Sequence, residues 1–308
     1  MNVLSLFDGI SCGKLALERA GFTDFTYYAS EIDKNAIKCS QDNHKDIIRL
    51  GDVTKVSYSN GVLHSENGAF NVGKIDLLIG GSPCQSFSLL GALTGINTDF
   101  AGKSGLFYEY LRILKEIQSE NPSVSFLLEN VRMKGESKEQ LDKYLGVTGQ
   151  YFNSELVSFQ KRPRFYWTNW QWDLPKDKGI NFQDFKQVYD LDKYAVNQTP
   201  SREKMWGNGL GRKFSNRTCD NVTNANKVFC VTVKQDRFPN SGLIEHGNFC
   251  RYLTQSELEQ AQTLPRGYTK CLTYSQAQAV IGNGWTVDAV AHIFSYLGIK
   301  RVIEELSA

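Results

Sequence analysis

Val3-Leu4-Ser5-Leu6-Phe7 runs directly into Asp8-Gly9-Ile10-Ser11-Cys12-Gly13, and this junction decides the fold. The first five residues form a short apolar run of the kind that becomes a buried strand. Two glycines follow, and a helical pattern then extends over residues 13–20. The glycines let backbone approach a ligand closely, and the start of the helix offers N–H groups without intrahelical partners. Glu31 follows Gly9 by 22 residues, at the end of the next apolar run, where an acid commonly meets ribose hydroxyls. Nucleotide and S-adenosylmethionine sites both use this arrangement. The G-x-G-x-x-G spacing that dinucleotide binders favour is absent.

Moving outward, strand and helix signals alternate. Strands are predicted over 27–30, 47–50, 75–79 and 126–128, and helices over 34–43 and 106–119. The pattern predicts an α/β fold with a doubly wound, mostly parallel sheet and its ligand at the strand ends. Residues 153–159 and 164–169, joined by Gln160-Lys161-Arg162-Pro163, read as a hairpin. After Trp170 the periodicity fades into a segment rich in Gly, Asn and basic residues, and helical character returns over 254–263 and 285–297. The expected organisation is a catalytic, cofactor-binding domain over 1–170 and a loop-rich lobe over 171–249. Residues 250–308 would then return to the first domain.

Composition narrows the class. A chain of 308 residues is long enough for one sizeable core and a smaller lobe. With 22% charged and 41% hydrophobic residues it is an ordinary globular protein. Its seven cysteines form no C-x-x-C pair, and its four histidines are scattered, which argues against a disulfide framework and a zinc site. That usage fits a reducing cytoplasm. No apolar stretch reaches membrane-spanning length, and the first strand leaves no room for a signal peptide. The net charge of +2 is uninformative, so a polyanion partner must be sought in local clusters.

Leu77-Leu78-Ile79 stops at Gly80-Gly81, and Pro83 stiffens the turn that presents Cys84. A thiol on a rigid turn at a strand end is well placed as a nucleophile, although an intracellular cysteine is more often a small buried hydrophobe. Glu129-Asn130-Val131 follows an apolar strand and brings a carboxylate to the same sheet edge. Elsewhere such a glutamate is usually a cap or a salt-bridge partner. Arg162 and Arg164, two apart on extended chain, share a face and are expected to point into one site. Asp52, in Gly51-Asp52-Val53, is either an acceptor for an adenine amine or a turn cap. Asn283-Gly284-Trp285 precedes the last helix and is read as completing a ligand pocket. Gly102-Lys103-Ser104 lacks both the first glycine and the strand of a phosphate-binding loop.

In this order the motifs resemble those of the DNA (cytosine-5)-methyltransferase family over nearly the whole chain. Phe7 to Gly13 is similar to the family's first motif, Ser82-Pro83-Cys84-Gln85 to its nucleophile motif, and Glu129-Asn130-Val131 with Gln160-x-Arg162-x-Arg164 to its two cytosine-binding motifs. Arg251-x-Leu253-Thr254-x-x-Glu257 and Gly282-Asn283-x-Trp285 resemble its ninth and tenth motifs. The opening run and Trp285 are closer to the de novo branch, in a compact chain of phage or bacterial type.

The resemblance implies that a methyl group passes from S-adenosylmethionine to C5 of cytosine in double-stranded DNA, leaving S-adenosylhomocysteine. Cys84 would be the covalent nucleophile, with Glu129, Arg162 and Arg164 also catalytic. The implied cofactor residues are Phe7, Asp8, Gly9, Ile10, Ser11, Gly13, Glu31, Ile32, Asp52, Val53, Pro83, Leu106, Asn283, Gly284 and Trp285. The base is expected to be flipped out, beneath a lid over 86–105. Between Pro200 and Cys250, eight Lys/Arg stand against four Asp/Glu, the expected footprint for phosphate. Arg202, Lys204, Arg212, Lys213, Lys227, Lys234 and Arg237 are the candidate DNA contacts, with Gln85 and Ser86. No metal is implied. The expected state is a monomer, with or without a cognate restriction endonuclease. The alternatives are a transfer-RNA cytosine-5 methyltransferase and a catalytically inactive DNA-binding regulator.

Overall fold

The computed structural model describes residues 1–82, 105–133, 135–207, 220–235 and 241–298. Strand β1 (Asn2–Leu6) leads into α1 (Cys12–Arg19), and β2 (Thr26–Ser30) into α2 (Lys34–Asn43). After β3 (Ile48–Gly51) comes a small antiparallel sheet of β4 (Ser57–Ser59), β5 (Val62–Ser65) and β6 (Gly68–Asn71). Then follow β7 (Leu77–Gly80), α3 (Gly105–Glu120), β8 (Ser125–Val131), α4 (Gly135–Leu145), β9 (Gln150–Asn153) and β10 (Pro163–Thr168).

The main sheet has the order β3-β2-β1-β7-β8-β10-β9. The first five of these strands are parallel, and β10 runs antiparallel to β8. Strand β1 is central and the chain winds outward from it in both directions, so the order reverses between β1 and β7. Ligands of open α/β sheets bind at such a switch point, outside the carboxyl ends of the strands. The central strands read as nearly unbroken apolar runs because both of their faces are buried. Val3, Leu4, Leu6, Leu77, Leu78 and Ile79 are all inaccessible to solvent, and α3 adds Tyr110, Ile113 and Ile117 to the core. Each such aliphatic side chain contributes about 1.5–3 kcal/mol by its burial.

Two elements depart from the expected pattern. The hairpin strand predicted at 153–159 lies instead at β9, because the chain leaves the sheet at Asn153. The Asn153 side chain accepts hydrogen bonds from the backbone of Glu155 (3.4 Å) and Arg162 (2.9 Å), which turns the chain into a short 3-10 helix at Ser154–Leu156. The small sheet β4-β5-β6 was not anticipated at all.

The chain divides into two compact units. The first comprises Met1–Phe152, Pro163–Asp173 and Ile293–Ala308, and the second Asn153–Arg162 and Leu174–His292. The expected return to the first domain at residue 250 therefore falls at Ile293, and the expected boundary at 171 falls at Leu174, with Asn153–Arg162 also in the second unit. Regular elements of the later chain are α5 (Pro200–Trp206), β11 (Ile244–His246), β12 (Phe249–Arg251), α6 (Gln255–Ala261), α7 (Tyr274–Asn283) and α8 (Val287–Ser295). The second unit holds a buried ion pair, Arg251–Glu257, with contacts of 2.8 and 2.9 Å. Thr254 and Glu257 form a capping box at the start of α6, so one carboxylate both caps the helix and neutralises the arginine. No helix among the described residues is long and apolar enough to cross a membrane.

Candidate active site

The loop after β1 is built from left-handed backbone. Phe7, Gly9 and Ser11 have φ of 58°, 60° and 61°. Glycine adopts this conformation freely, whereas Phe7 and Ser11 are strained by it. Hydrogen bonds hold the shape: Asp8 N–H donates to Ser30 O (3.0 Å), Ser11 N–H to Asp8 O (3.1 Å) and Gly9 N–H to Glu31 Oε2 (2.7 Å). A methyl group placed on Gly9 would meet no atom of the described residues within 4 Å, so among these residues the loop leaves open space above its backbone.

Ile10 and Ser11 are wholly buried, and Asp8 is nearly so. The Asp8 carboxylate accepts from Ser5 Oγ (2.7 Å), Ser11 Oγ (2.5 Å) and Tyr27 Oη (2.7 Å). Burial pushes the Asp8 carboxyl above its ordinary range, while the three hydroxyls pull it back. Asp8, Ile10 and Ser11 therefore present backbone rather than side chains at the surface of this loop. Gly13 is buried inside α1.

Glu31 stands where expected, at the end of β2. Its Oε1 accepts from the backbone N–H groups of Ile32 and Asp33, both at 2.8 Å, and its Oε2 from Gly9. Next to it Ile32 is 69% exposed, an apolar side chain turned largely to the surface. Asp52 caps the turn at Val53–Lys55, accepting from Thr54 N–H at 2.9 Å, and its own N–H donates to Glu66 Oε1 at 2.8 Å. Val53 is buried, and Leu106 packs partly buried against the core at the start of α3. Three neighbouring strand ends thus line up a glycine loop, two carboxylates and an exposed isoleucine.

Strand β8 brings Glu129 to the other side of the switch point. Glu129 lies opposite Tyr166 in the antiparallel β8–β10 pair, and Arg164 opposite Val131. Because β10 begins where β8 ends, Arg164 is delivered to the carboxyl edge of the sheet. Arg164 Nε meets Glu129 Oε1 at 2.8 Å, with Glu129 8% and Arg164 9% exposed. The adjacent Asn130 is buried and donates from Nδ2 to Ser82 O and Oγ, both at 3.3 Å. It ties β8 to the residue that precedes Pro83. The motif Glu129-Asn130-Val131 gives Asn130 no role of its own in the sequence, and a polar residue closing an apolar strand is the signal for one.

Arg162 behaves differently from Arg164. Its Nη1 donates to Val231 O (2.9 Å) and its Nη2 to Gly284 O (2.8 Å) and Gly282 O (3.2 Å), all within the second unit. Arg162 thus braces backbone carbonyls of the second unit. Gly282 is required there, since a Cβ would lie 2.4 Å from the Thr232 carbonyl carbon. Gly284 is buried, Asn283 exposed and Trp285 half-buried, all in the second unit. Among the candidate DNA contacts, Lys204 and Lys234 are exposed, and Arg202 donates to Asn197 O at 3.2 Å. Lys227 donates to Glu155 O (2.7 Å) and Ser158 O (2.9 Å), an internal tie within the second unit. Pro83, Cys84, Gln85, Ser86, Arg212, Lys213 and Arg237 lie outside the described residues, as does the expected lid apart from its last residue, Gly105.

A doubly wound sheet with polar side chains gathered at its switch point defines a Rossmann-like, ligand-binding domain. Residues 1–155 match the family model described as C-5 cytosine-specific DNA methylase, and the chain belongs to that family. It is 42% identical over 132 residues to the Type II methyltransferase M.FnuDI of Fusobacterium nucleatum, covering 43% of this chain and 33% of that protein. With M.NlaX of Neisseria lactamica, also a Type II methyltransferase, identity is 26% over 319 residues, covering 95% and 94% of the two chains. An orphan methyltransferase of Bacillus phage SPR, M.SPRI, is 31% identical over 206 residues. The chain spans less than half the length of M.FnuDI and of M.SPRI. In fold it is similar to the S. pombe Dnmt2 methyltransferase, with a TM-score of 0.73 and 18% identity, covering 96% of this chain and 98% of that one.

Proposed function

We propose that this protein transfers a methyl group from S-adenosylmethionine to C5 of cytosine in double-stranded DNA. The observation that carries the reading is the Glu129–Arg164 pair, a carboxylate and a guanidinium held 2.8 Å apart at the carboxyl edge of the sheet. It stands one strand over from β7, whose end leads through Ser82 to Pro83-Cys84.

Cytosine C6 is a poor electrophile, and thiolate addition to it drives electron density onto C5, N3 and O2. Glu129, carrying or sharing a proton, holds N3, and Arg164 donates to O2. Both contacts strengthen as charge develops on the ring, which is where stabilisation accelerates a reaction. Cys84 is the proposed nucleophile, adding through Sγ to C6. Among the described cysteines, Cys12, Cys39 and Cys250 are buried, and burial pushes the Cys250 thiol up to about 12, which keeps it protonated and unreactive. S-adenosylmethionine, when bound, supplies the methyl group that C5 receives. Loss of the C5 proton to a base then expels Cys84 as thiolate and restores the ring.

The residues at the first three strand ends fit that cofactor. Open space above Gly9 admits a ligand against backbone, Glu31 suits ribose hydroxyls, and the Asp52 carboxylate suits an adenine amine. Exposed Ile32 supplies an apolar surface for the base. The assignments of Pro83, Asn283, Gly284 and Trp285 rest on the resemblance, as does base flipping. Exposed Lys204 and Lys234, with Arg202, are proposed phosphate contacts.

Duplexes carrying 5-fluorocytosine at target positions test the mechanism, because fluorine at C5 cannot leave as a proton does. The intact protein should form a denaturation-resistant adduct with such DNA when S-adenosylmethionine is present, and Cys84→Ala should form none. An adduct of equal yield in Cys84→Ala would remove Cys84 from the mechanism.

A further inference from the structure

We infer that Ser40 and Arg49 are positioning residues of the cofactor site, acting through a buried chain of hydroxyls that ends on Asp8. The inference rests on the reading of the first three strand ends as that site. Arg49 Nη2, on β3, donates to Ser40 Oγ on α2 at 2.8 Å. Ser40 Oγ is hydrogen-bonded to Ser11 Oγ, and Ser11 Oγ donates to Asp8 Oδ2 at 2.5 Å. Ser5 of β1 and Tyr27 of β2 donate to the other Asp8 oxygen, each at 2.7 Å. One carboxylate therefore gathers bonds from β1, β2, the start of α1 and, through two hydroxyls, α2 and β3.

The chain has a single direction. A guanidinium only donates and an ionised carboxylate only accepts. Ser40, which receives a hydrogen from Arg49, must give its own to Ser11, and Ser11 must give its own to Asp8. Ser11 and Ser40 have no exposed surface, so neither hydroxyl can exchange its partner for water. Burial of an unpaired hydroxyl is costly, so removing any link penalises its neighbours as well.

The geometry at stake belongs to the ligand-facing backbone. Ser11 is held in the left-handed conformation, with Phe7 and Gly9 beside it in the same region. Asp8 lies between these residues, Gly9 donates to Glu31, and Arg49 is three residues before Asp52. The chain thus couples the glycine loop, the Glu31 corner and the Asp52 corner. Ser40 cannot touch a ligand, since it is wholly buried. Its effect has to pass through Ser11 and Asp8. Glu129 and Arg164, on β8 and β10, have no part in it.

The test is calorimetric titration of the full chain with S-adenosylhomocysteine, for wild type, Ser40→Ala, Arg49→Met and the double variant. Each single change should weaken binding about tenfold, as expected for the loss of one or two buried hydrogen bonds. The double variant should be no weaker than the worse single, because both changes break one chain. Turnover at saturating S-adenosylmethionine should stay within about twofold of wild type while its KM rises, a split that general destabilisation does not produce. Arg49 is only half-buried, so Arg49→Met decides the matter if Ser40→Ala does not fold. Unchanged affinity in a folded variant, or fully additive losses, overturns the inference and leaves the cofactor reading standing. Failure of wild type itself to bind S-adenosylhomocysteine overturns both.

Discussion

At the scale of single residues, the proposed reaction separates groups that would face substrate from groups that hold the fold. Glu129 belongs to the first set. Glu129→Gln keeps an oxygen that can accept from Arg164 but cannot deliver a proton to N3. Its chemical step should slow by about 10²–10³-fold with DNA affinity little changed, as for loss of one transition-state contact. Single-turnover methylation and DNA titration of the same variant check this; lost affinity with an unchanged rate would make Glu129 a docking residue. The lysines divide in the same way. Lys234→Ala should lower the slope of log affinity against log salt by about one unit. Lys227→Met should leave that slope alone and instead destabilise by about 1–3 kcal/mol, because the Glu155 and Ser158 carbonyls lose their donor. Salt-dependent binding and urea unfolding of the two variants read both effects. Asp8 adds a pH signature. Its folded carboxyl titrates above its unfolded value, mainly through burial, so the folded state binds the extra proton. The stability this contributes is complete below the unfolded carboxylate range and is lost as pH rises through the folded value. Relative to Asp8→Asn, wild type should therefore lose stability as pH rises from about 4. A relative gain across a pH series of unfolding midpoints contradicts the assignment.

At the scale of elements, much of the molecule was legible because its strands and helices carry strong local patterns. The runs at β1, β2, β7 and β8 are apolar because both sheet faces are covered, and α2 spans Lys34–Asn43 as its pattern predicted. The small sheet carries one local signal, Asn60-Gly61, which marks a tight hairpin with φ of 52° and 72°. Its strands are three or four residues long and mostly polar outside, so no periodic signal points to them. Of the two arginines only Arg164 lies on extended strand, within Pro163–Thr168, and Arg162 stands just before it, where its bonds to backbone carbonyls have no sequence signature. Tyr27, as a partner of Asp8 from the neighbouring strand, was hidden for another reason: a contact between elements has no signature within either one. Arg251 and Glu257 were noticed as a motif, and their spacing is explained by the carboxylate that caps α6 while holding the arginine. Glu257→Ala leaves that guanidinium buried without its partner and should cost about 3–5 kcal/mol. A shift of that size in the urea midpoint is expected; a shift below about 1 kcal/mol would mean that Arg251 finds another partner easily.

At the scale of the whole molecule, one sheet serves both halves of the proposed reaction. In the proposed reaction strand ends β1, β2 and β3 would face the cofactor with backbone, Glu31 and Asp52, while β8 and β10 hold the paired Glu129 and Arg164 on the other side of the switch point. The basic excess between Pro200 and Cys250 suits a polyanion, and its exposed members rather than its full count are expected to set affinity. The central claim is the position of the transferred methyl. The most direct measurement is mass spectrometry of nucleosides released from duplex DNA after incubation with the protein and methyl-labelled S-adenosylmethionine. The account predicts label in 5-methylcytosine alone, abolished by Cys84→Ala and strongly reduced by Glu129→Gln. Label on the exocyclic amine of cytosine or adenine, or undiminished 5-methylcytosine in Cys84→Ala, would contradict it.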